Sequence, residues 1–201
     1  MRDIDQKLKN NPKIFWDHKY QNQSTGWDIG YISTPIKEYI DQLKLKSQDI
    51  LIPGCGNSYE GEYLHENHFS NSHLIDISGN AVQNFKTRVP SFPSELIFEE
   101  DFFKHNSNYD LIIEQTFFCA LPPSMRSEYV KQMHALLKPK GKLVGLLFDT
   151  PLNENHPPFG GSLREYQELF APLFHIMVME RAYNSITPRQ GIELFIILKK
   201  M

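Results

Sequence analysis

The residues of this chain best suited to chemistry fall into three short clusters. Gly54-Cys55-Gly56 follows the apolar run 50–53. Asp76 stands 22 residues after Gly54, at the end of a second apolar run. Asp101-Phe102 follows a third, residues 95–100. Glycines just past a buried strand let the backbone approach a ligand closely. An acidic residue about 20 positions further on is where a ribose diol is held by carboxylate hydrogen bonds. An acid followed by an aromatic ring suits the amino group and ring of adenine. Together the clusters suggest an adenosine-containing ligand. Each has a plainer reading: a strand-to-helix turn for the glycines, a helix N-cap for Asp76, for which Ser78 competes, and a solvated strand end for Asp101.

The glycine turn and the acid fit both a nicotinamide dinucleotide and S-adenosylmethionine. The dinucleotide fingerprint needs a third glycine or alanine three positions after the second. Tyr59 stands there instead. A pyrophosphate needs the tight helix packing that small residue allows, whereas S-adenosylmethionine has no phosphate.

The elements that must position these groups read as alternating strands and helices. Strands are predicted over 49–53, 72–77, 95–100, 109–115, 142–148, 175–180 and 191–199. Helices are predicted over 58–67, 78–88, 124–137 and 162–170, with a turn at Pro139–Gly141. This alternation implies a mostly parallel, seven-stranded α/β sheet of Rossmann-like type with helices on both faces. The last two strands lack an intervening helix and read as an antiparallel edge hairpin. Residues 11–42 read as mostly helical with a loop at 23–30, and carry Trp16, Tyr20 and Trp27. Trp16 and Tyr20 are four apart and share a helix face.

The whole chain of 201 residues is expected to form one domain, with residues 1–45 as a helical lid. A net charge of −3, with no basic excess, argues against a nucleic-acid partner. The apolar runs are strand-length and too short to span a membrane. The polar N-terminus is no secretory signal. Cys55 and Cys119 show no metal spacing, and the histidines are scattered, so no metal is expected; two thiols read as reduced in a cytoplasmic protein.

From Trp16 onward the ordered motifs resemble the thiopurine S-methyltransferase superfamily, and especially its thiol and halide methyltransferase branch. The matching pieces are Trp16, Tyr20 and Gly26-Trp27-Asp28; Pro53-Gly54-Cys55-Gly56; Asp76-Ile77-Ser78; and Glu100-Asp101-Phe102-Phe103. They continue with Phe117-Phe118-Cys119-Ala120-Leu121, Met125-Arg126, Leu136-Leu137-Lys138-Pro139 with Gly141, and Pro157-Pro158-Phe159. The resemblance implies a class I methyltransferase fold with S-adenosylmethionine as cofactor and S-adenosylhomocysteine as product. Trp16, Tyr20 and Trp27 would form an aromatic lid; Gly54, Cys55, Gly56, Asp76, Ile77, Asp101, Phe102 and Gln115 would line the groove. The family often has Trp where Tyr20 stands, and another residue, often aromatic, where Gln115 stands.

A donor that already carries an activated methyl group needs no nucleophile triad, and no Ser-His-Asp pattern is present. The acceptor is expected to be a small molecule with a soft nucleophile: a thiol, a thiopurine-like sulfur or a halide. Its pocket is expected from Phe117, Phe118, Phe148 and Phe159, with Arg126 holding an acceptor anion or the donor's carboxylate. Asp149 is a weak candidate for handling a proton, Arg126 for catalysis. The rival readings are an O- or N-methyltransferase of a small metabolite and a binding protein without turnover. Nothing in the patterning specifies an oligomer.

Overall fold

The computed structural model describes residue 8 and residues 10–201; of the expected lid, residues 1–45, residues 1–7 and 9 lie outside the described residues. Its centre is a seven-stranded sheet of order β3-β2-β1-β4-β5-β7-β6. The strands are β1 (Ile50–Pro53), β2 (Ser72–Asp76), β3 (Ile97–Glu99), β4 (Tyr109–Gln115), β5 (Leu137–Phe148), β6 (Phe174–Arg181) and β7 (Glu193–Lys200). The first five run parallel, and β7 pairs antiparallel with both β5 and β6. The edge hairpin is therefore present, with its second strand inserted next to β5.

Alternation along the strands feeds two apolar layers. Ile50 and Ile52 face one layer and Leu51 the other. The first layer takes Ile36 and Ile40 from α2 (Thr34–Asp41), Leu64 from α3 (Tyr59–Glu66) and Phe85 from α4 (Gly79–Arg88). The second takes Tyr129 and Met133 from α5 (Arg126–Leu136), and Tyr166 and Phe170 from α6 (Leu163–Phe170). The remaining helix, α1 (Pro12–Gln21), buries no residue fully; it lies across the carboxyl ends of the strands.

Most predicted elements stand within one or two residues of their expected bounds; the third strand, the N-terminal stretch and the fifth strand each carry a local feature with a clear cause. The third strand is shorter, because Ser94–Leu96 forms a 3₁₀ turn and only Ile97–Glu99 pairs with β2. The N-terminal stretch forms two helices with an irregular segment between them, the second opened by Pro35. The expected turn at Pro139–Gly141 lies inside β5: Tyr109 faces Leu137 but Leu111 faces Lys142, so residues 138–141 bulge out. Lys140 takes the left-handed conformation there, with φ 68°.

Strand order reverses between β1 and β4, with β2 and β3 on one side and β5 on the other. In open α/β sheets this switch point opens a crevice at the carboxyl ends of the strands. Gly54 leaves β1 there and Gln115 ends β4 there.

Candidate active site

A cleft of about 220 Å³ occupies this crevice. Its floor is the turn from Gly54 to Glu60. One wall comes from the ends of β2 and β3, and the other from Gln115–Phe117, Cys119–Pro122 and Met125. Trp16, Tyr20 and Trp27 close it from above.

The floor is made by backbone that few residues adopt. Gly54 and Gly56 have φ 55° and 54°. Ser58 and Thr116, which are not glycine, also lie in the left-handed region, with φ 51° and 58°. Such residues cost roughly 1–3 kcal/mol each and cluster at functional sites. A side chain on Gly56 would lie 2.7 Å from the Tyr20 hydroxyl, so Tyr20 rests directly on the turn.

Asp76 is 7% exposed and faces this floor. One carboxylate oxygen accepts from the Gly56 amide at 2.7 Å, the other from the Ser78 amide at 2.8 Å. Burial raises its pKa to about 6, against the pull of these amides. The capping role goes to Ser78, whose hydroxyl accepts from the Ala81 amide at 3.3 Å. Each oxygen of Asp76 therefore keeps a lone pair for a further donor.

Asp101 accepts from the Phe103 amide at 3.0 Å and caps a short 3₁₀ turn, leaving its carboxylate on the cleft rim. Phe102 packs edge-on against Phe117, with centroids 5.1 Å apart. The Gln115 side-chain oxygen accepts from the Ser33 hydroxyl at 3.2 Å. Above, Trp27 is the hub of the aromatic group, 5.4 Å from Trp16 and 5.8 Å from Tyr20, both edge-on. Burial pushes the Tyr20 phenol far above its ordinary range, so it stays neutral.

The structure thus brings together Trp16, Tyr20, Trp27, Gly54, Cys55, Gly56, Asp76, Ile77, Asp101, Phe102 and Gln115 around one cleft. Apart from Phe117, the expected acceptor residues and the proton candidate Asp149 are placed elsewhere. Phe118 is 1% exposed and packs on Tyr129 and Tyr166. Phe159 is buried, and Phe148 lies beneath the Arg189 guanidinium. Arg126 is engaged away from the cleft through its two terminal nitrogens: it pairs with Glu165, donates to the Gly160 carbonyl at 2.6 Å and lies over the Phe118 ring. Asp149 pairs with Arg181 at 2.7 Å and accepts from the Leu163 amide. None of these five lines the cleft. Phe117 does line it, beside Ala120, Leu121, Pro122, Met125, Pro157 and Pro158. Those small apolar loop residues carry no signal in a lone sequence that separates a cleft wall from a core.

The cleft suits S-adenosylmethionine on its own chemistry. Its lining holds the carboxyl groups of Asp28, Glu60, Asp76, Glu100 and Asp101 against the single ammonium of Lys19. Such a lining favours a cationic ligand and repels a pyrophosphate. Among the described residues, no cluster of three or more His, Cys, Asp or Glu is placed to hold a metal ion.

Fold and crevice together define a Rossmann-like methyltransferase that draws its methyl group from S-adenosylmethionine. The family model described as thiopurine S-methyltransferase matches residues 12–194, and the chain belongs to this family. It is similar to "Probable thiol methyltransferase 2" of Arabidopsis thaliana, 30% identical over 201 residues, covering 96% of this chain and 88% of the relative. "Thiocyanate methyltransferase 1" of Brassica oleracea is 29% identical, with 89% of this chain and 81% of the relative covered. Among solved structures, the 1,6-didemethyltoxoflavin-N1-methyltransferase of Burkholderia thailandensis, determined with S-adenosylhomocysteine bound, superposes with a TM-score of 0.73. It is 15% identical and covers 94% of this chain and 87% of that one.

Proposed function

We propose that this methyltransferase acts on a small soft nucleophile: a thiol, a thiopurine-like sulfur or a halide. One observation carries the reading. The cleft wall beyond β4 is built from Phe117, Ala120, Leu121, Pro122 and Met125, with Pro157 and Pro158. The only titratable side chain among residues 116–125 of this wall is Cys119, whose thiol burial pushes up to about 12. Such a wall offers no general base. It suits an acceptor that is already a good nucleophile once desolvated. The names of the thiol and thiocyanate methyltransferase relatives agree with this choice.

S-adenosylmethionine, when bound, supplies a methyl group already activated on a sulfonium. The protein's task is to hold, align and exclude water. Asp76 would accept the ribose hydroxyls on the lone pairs left by the two amides. Ile77 and Phe102 would sandwich the adenine, with Asp101 at its amino group. Trp16, Tyr20 and Trp27 would cover the sulfonium end, where aromatic faces contribute roughly 0.5–2 kcal/mol of cation–π attraction. Alignment of donor and acceptor at near-attack distance supplies several kcal/mol more. We read residues 1–201 as one domain with residues 1–45 as its lid, working in the cytoplasm with both cysteines as free thiols. Among the described residues no helix is long and apolar enough to cross a membrane.

The test is an acceptor screen with bisulfide, thiocyanate, iodide, thiophenol and a thiopurine, read as S-adenosylhomocysteine formed. Turnover with at least one is expected. Donor binding by calorimetry without turnover of any would defeat the soft-acceptor reading and leave the donor site standing. Turnover of a phenol or amine instead would favour an O- or N-methyltransferase.

A further inference from the structure

Arg189 lies in the β6–β7 hairpin, 162 residues from the lid in sequence, yet its guanidinium donates to the Trp27 carbonyl at 2.8 Å. It is 8% exposed, too buried to be a solvated surface charge. Its other nitrogen faces Glu193 at 3.5 Å, and its plane lies 5.7 Å from the Phe148 ring centroid. Glu60, on the cleft floor, is close enough for the Arg189 charge to favour its ionised form against burial. The fork is thus held on one side by the sheet and on the other grips the lid. The residue it grips is the hub of the aromatic group, in edge-on contact with both Trp16 and Tyr20. On its other flank, Trp27 is followed by Asp28, whose carboxylate bonds Asn57 of the glycine turn. Trp27 is therefore fixed between the floor and the far hairpin, while α1 itself buries no side chain fully.

We propose that Arg189 is a positioning residue for the methyl donor: by holding the Trp27 carbonyl it fixes the aromatic cover over the cleft. A planar fork suits this better than an ammonium, because it bonds the carbonyl and faces the acid from one rigid group. The inference rests on the donor site alone and is independent of which acceptor is used.

The chain's two tryptophans are Trp16 and Trp27, so tryptophan emission reports this cover and nothing else. In ligand-free protein, Arg189→Gln should raise acrylamide quenching of that emission at least twofold. Titration calorimetry should show S-adenosylhomocysteine binding about tenfold weaker. The acceptor KM at saturating donor should stay within twofold, and Arg189→Lys should recover part of both losses. Because Arg189→Gln leaves buried Glu193 without its partner, the pair R189Q/E193Q removes both charges and carries the same expectation if the single variant does not fold. Wild-type quenching and wild-type S-adenosylhomocysteine affinity in a folded variant would overturn the proposal. So would a loss confined to the acceptor KM, which would make Arg189 an acceptor-side residue.

Discussion

Phe117 sits directly on Gly54: a Cβ added to the glycine would lie 2.2 Å from the Phe117 Cδ2 atom and 2.5 Å from Cγ. The first loop of the cleft and the wall beyond β4 are thus in contact through a position where no side chain fits. Gly54 also has φ 55°, a conformation that costs an L-residue about 1 kcal/mol or more before any clash. Gly54→Ala should therefore lower stability by about 2–4 kcal/mol, since overpacking adds to strain. Donor binding should be lost in whatever folded protein remains. Urea unfolding and calorimetry check both, and a variant within 0.5 kcal/mol of wild type in stability would show that Phe117 can move away at little cost.

Asp76 makes donor affinity depend on pH. Its folded pKa of about 6 lies above the ordinary 3.8, with burial as the main cause. In the proposed donor site its ionised form would accept the two ribose hydroxyls. Affinity should rise with pH up to and through 6, falling about tenfold at pH 5 relative to the plateau. Asp76→Asn should flatten that dependence, and Asp76→Ala should weaken binding at pH 7.5 by about 2–3 kcal/mol. Calorimetric titrations with S-adenosylhomocysteine between pH 5 and 8 decide it. An unchanged profile in the Asn variant would assign the titration to another group.

Glu114 predicts the pH dependence of folding. It is fully buried and accepts from the Phe117 amide at 2.8 Å, the Phe118 amide at 2.9 Å and the Tyr129 hydroxyl at 2.5 Å. Burial still dominates, raising its pKa from 4.5 to about 7. A carboxyl whose folded pKa is raised contributes stability in full below its unfolded pKa, and loses it as pH rises through the folded value. The window is therefore pH 4.5 to about 7. Comparing wild type with Glu114→Gln across it, the stability difference should shift against wild type by on the order of 2–3 kcal/mol. A difference that stays flat with pH would mean that the three hydrogen bonds hold Glu114 ionised throughout.

That Gly54, Gly56, Asp76, Asp101 and the two tryptophans share one cleft was legible in the sequence because their signals are local. Gly54 and Gly56 flag a backbone conformation, Asp76 and Asp101 end apolar runs, and the two tryptophans lie in one short segment. The wall beyond β4 was not, because Phe117 and Phe118 are adjacent and identical in type. Which one faces the cleft depends on the left-handed turn at Thr116 and on the Glu114 carboxylate that pins both amides. A lone sequence shows neither. Arg189 was illegible for the opposite reason: its partner is a backbone carbonyl, which every residue possesses, at a distance only the sheet order brings together. Arg126 reads in sequence as a group that could hold an acceptor anion or the donor's carboxylate, but the fold engages its two terminal nitrogens with Glu165 and the Gly160 carbonyl.

That last placement separates two roles by experiment. Arg126 is 5% exposed and its partners are all internal, so removing its charge leaves Gly160 short of a donor and frees Glu165 on the half-exposed side. Breaking a buried pair from one side costs about 3–5 kcal/mol; with Glu165 partly solvated, about 2–3 kcal/mol is expected for Arg126→Gln. The loss should appear as a lower midpoint of urea unfolding. At a temperature where the variant is fully folded, its KM values for donor and acceptor should stay within about twofold of wild type, since the guanidinium touches neither side of the cleft. A raised acceptor KM, greatest for anionic acceptors and with unfolding unchanged, would instead mean that Arg126 swings into the cleft when an acceptor is present.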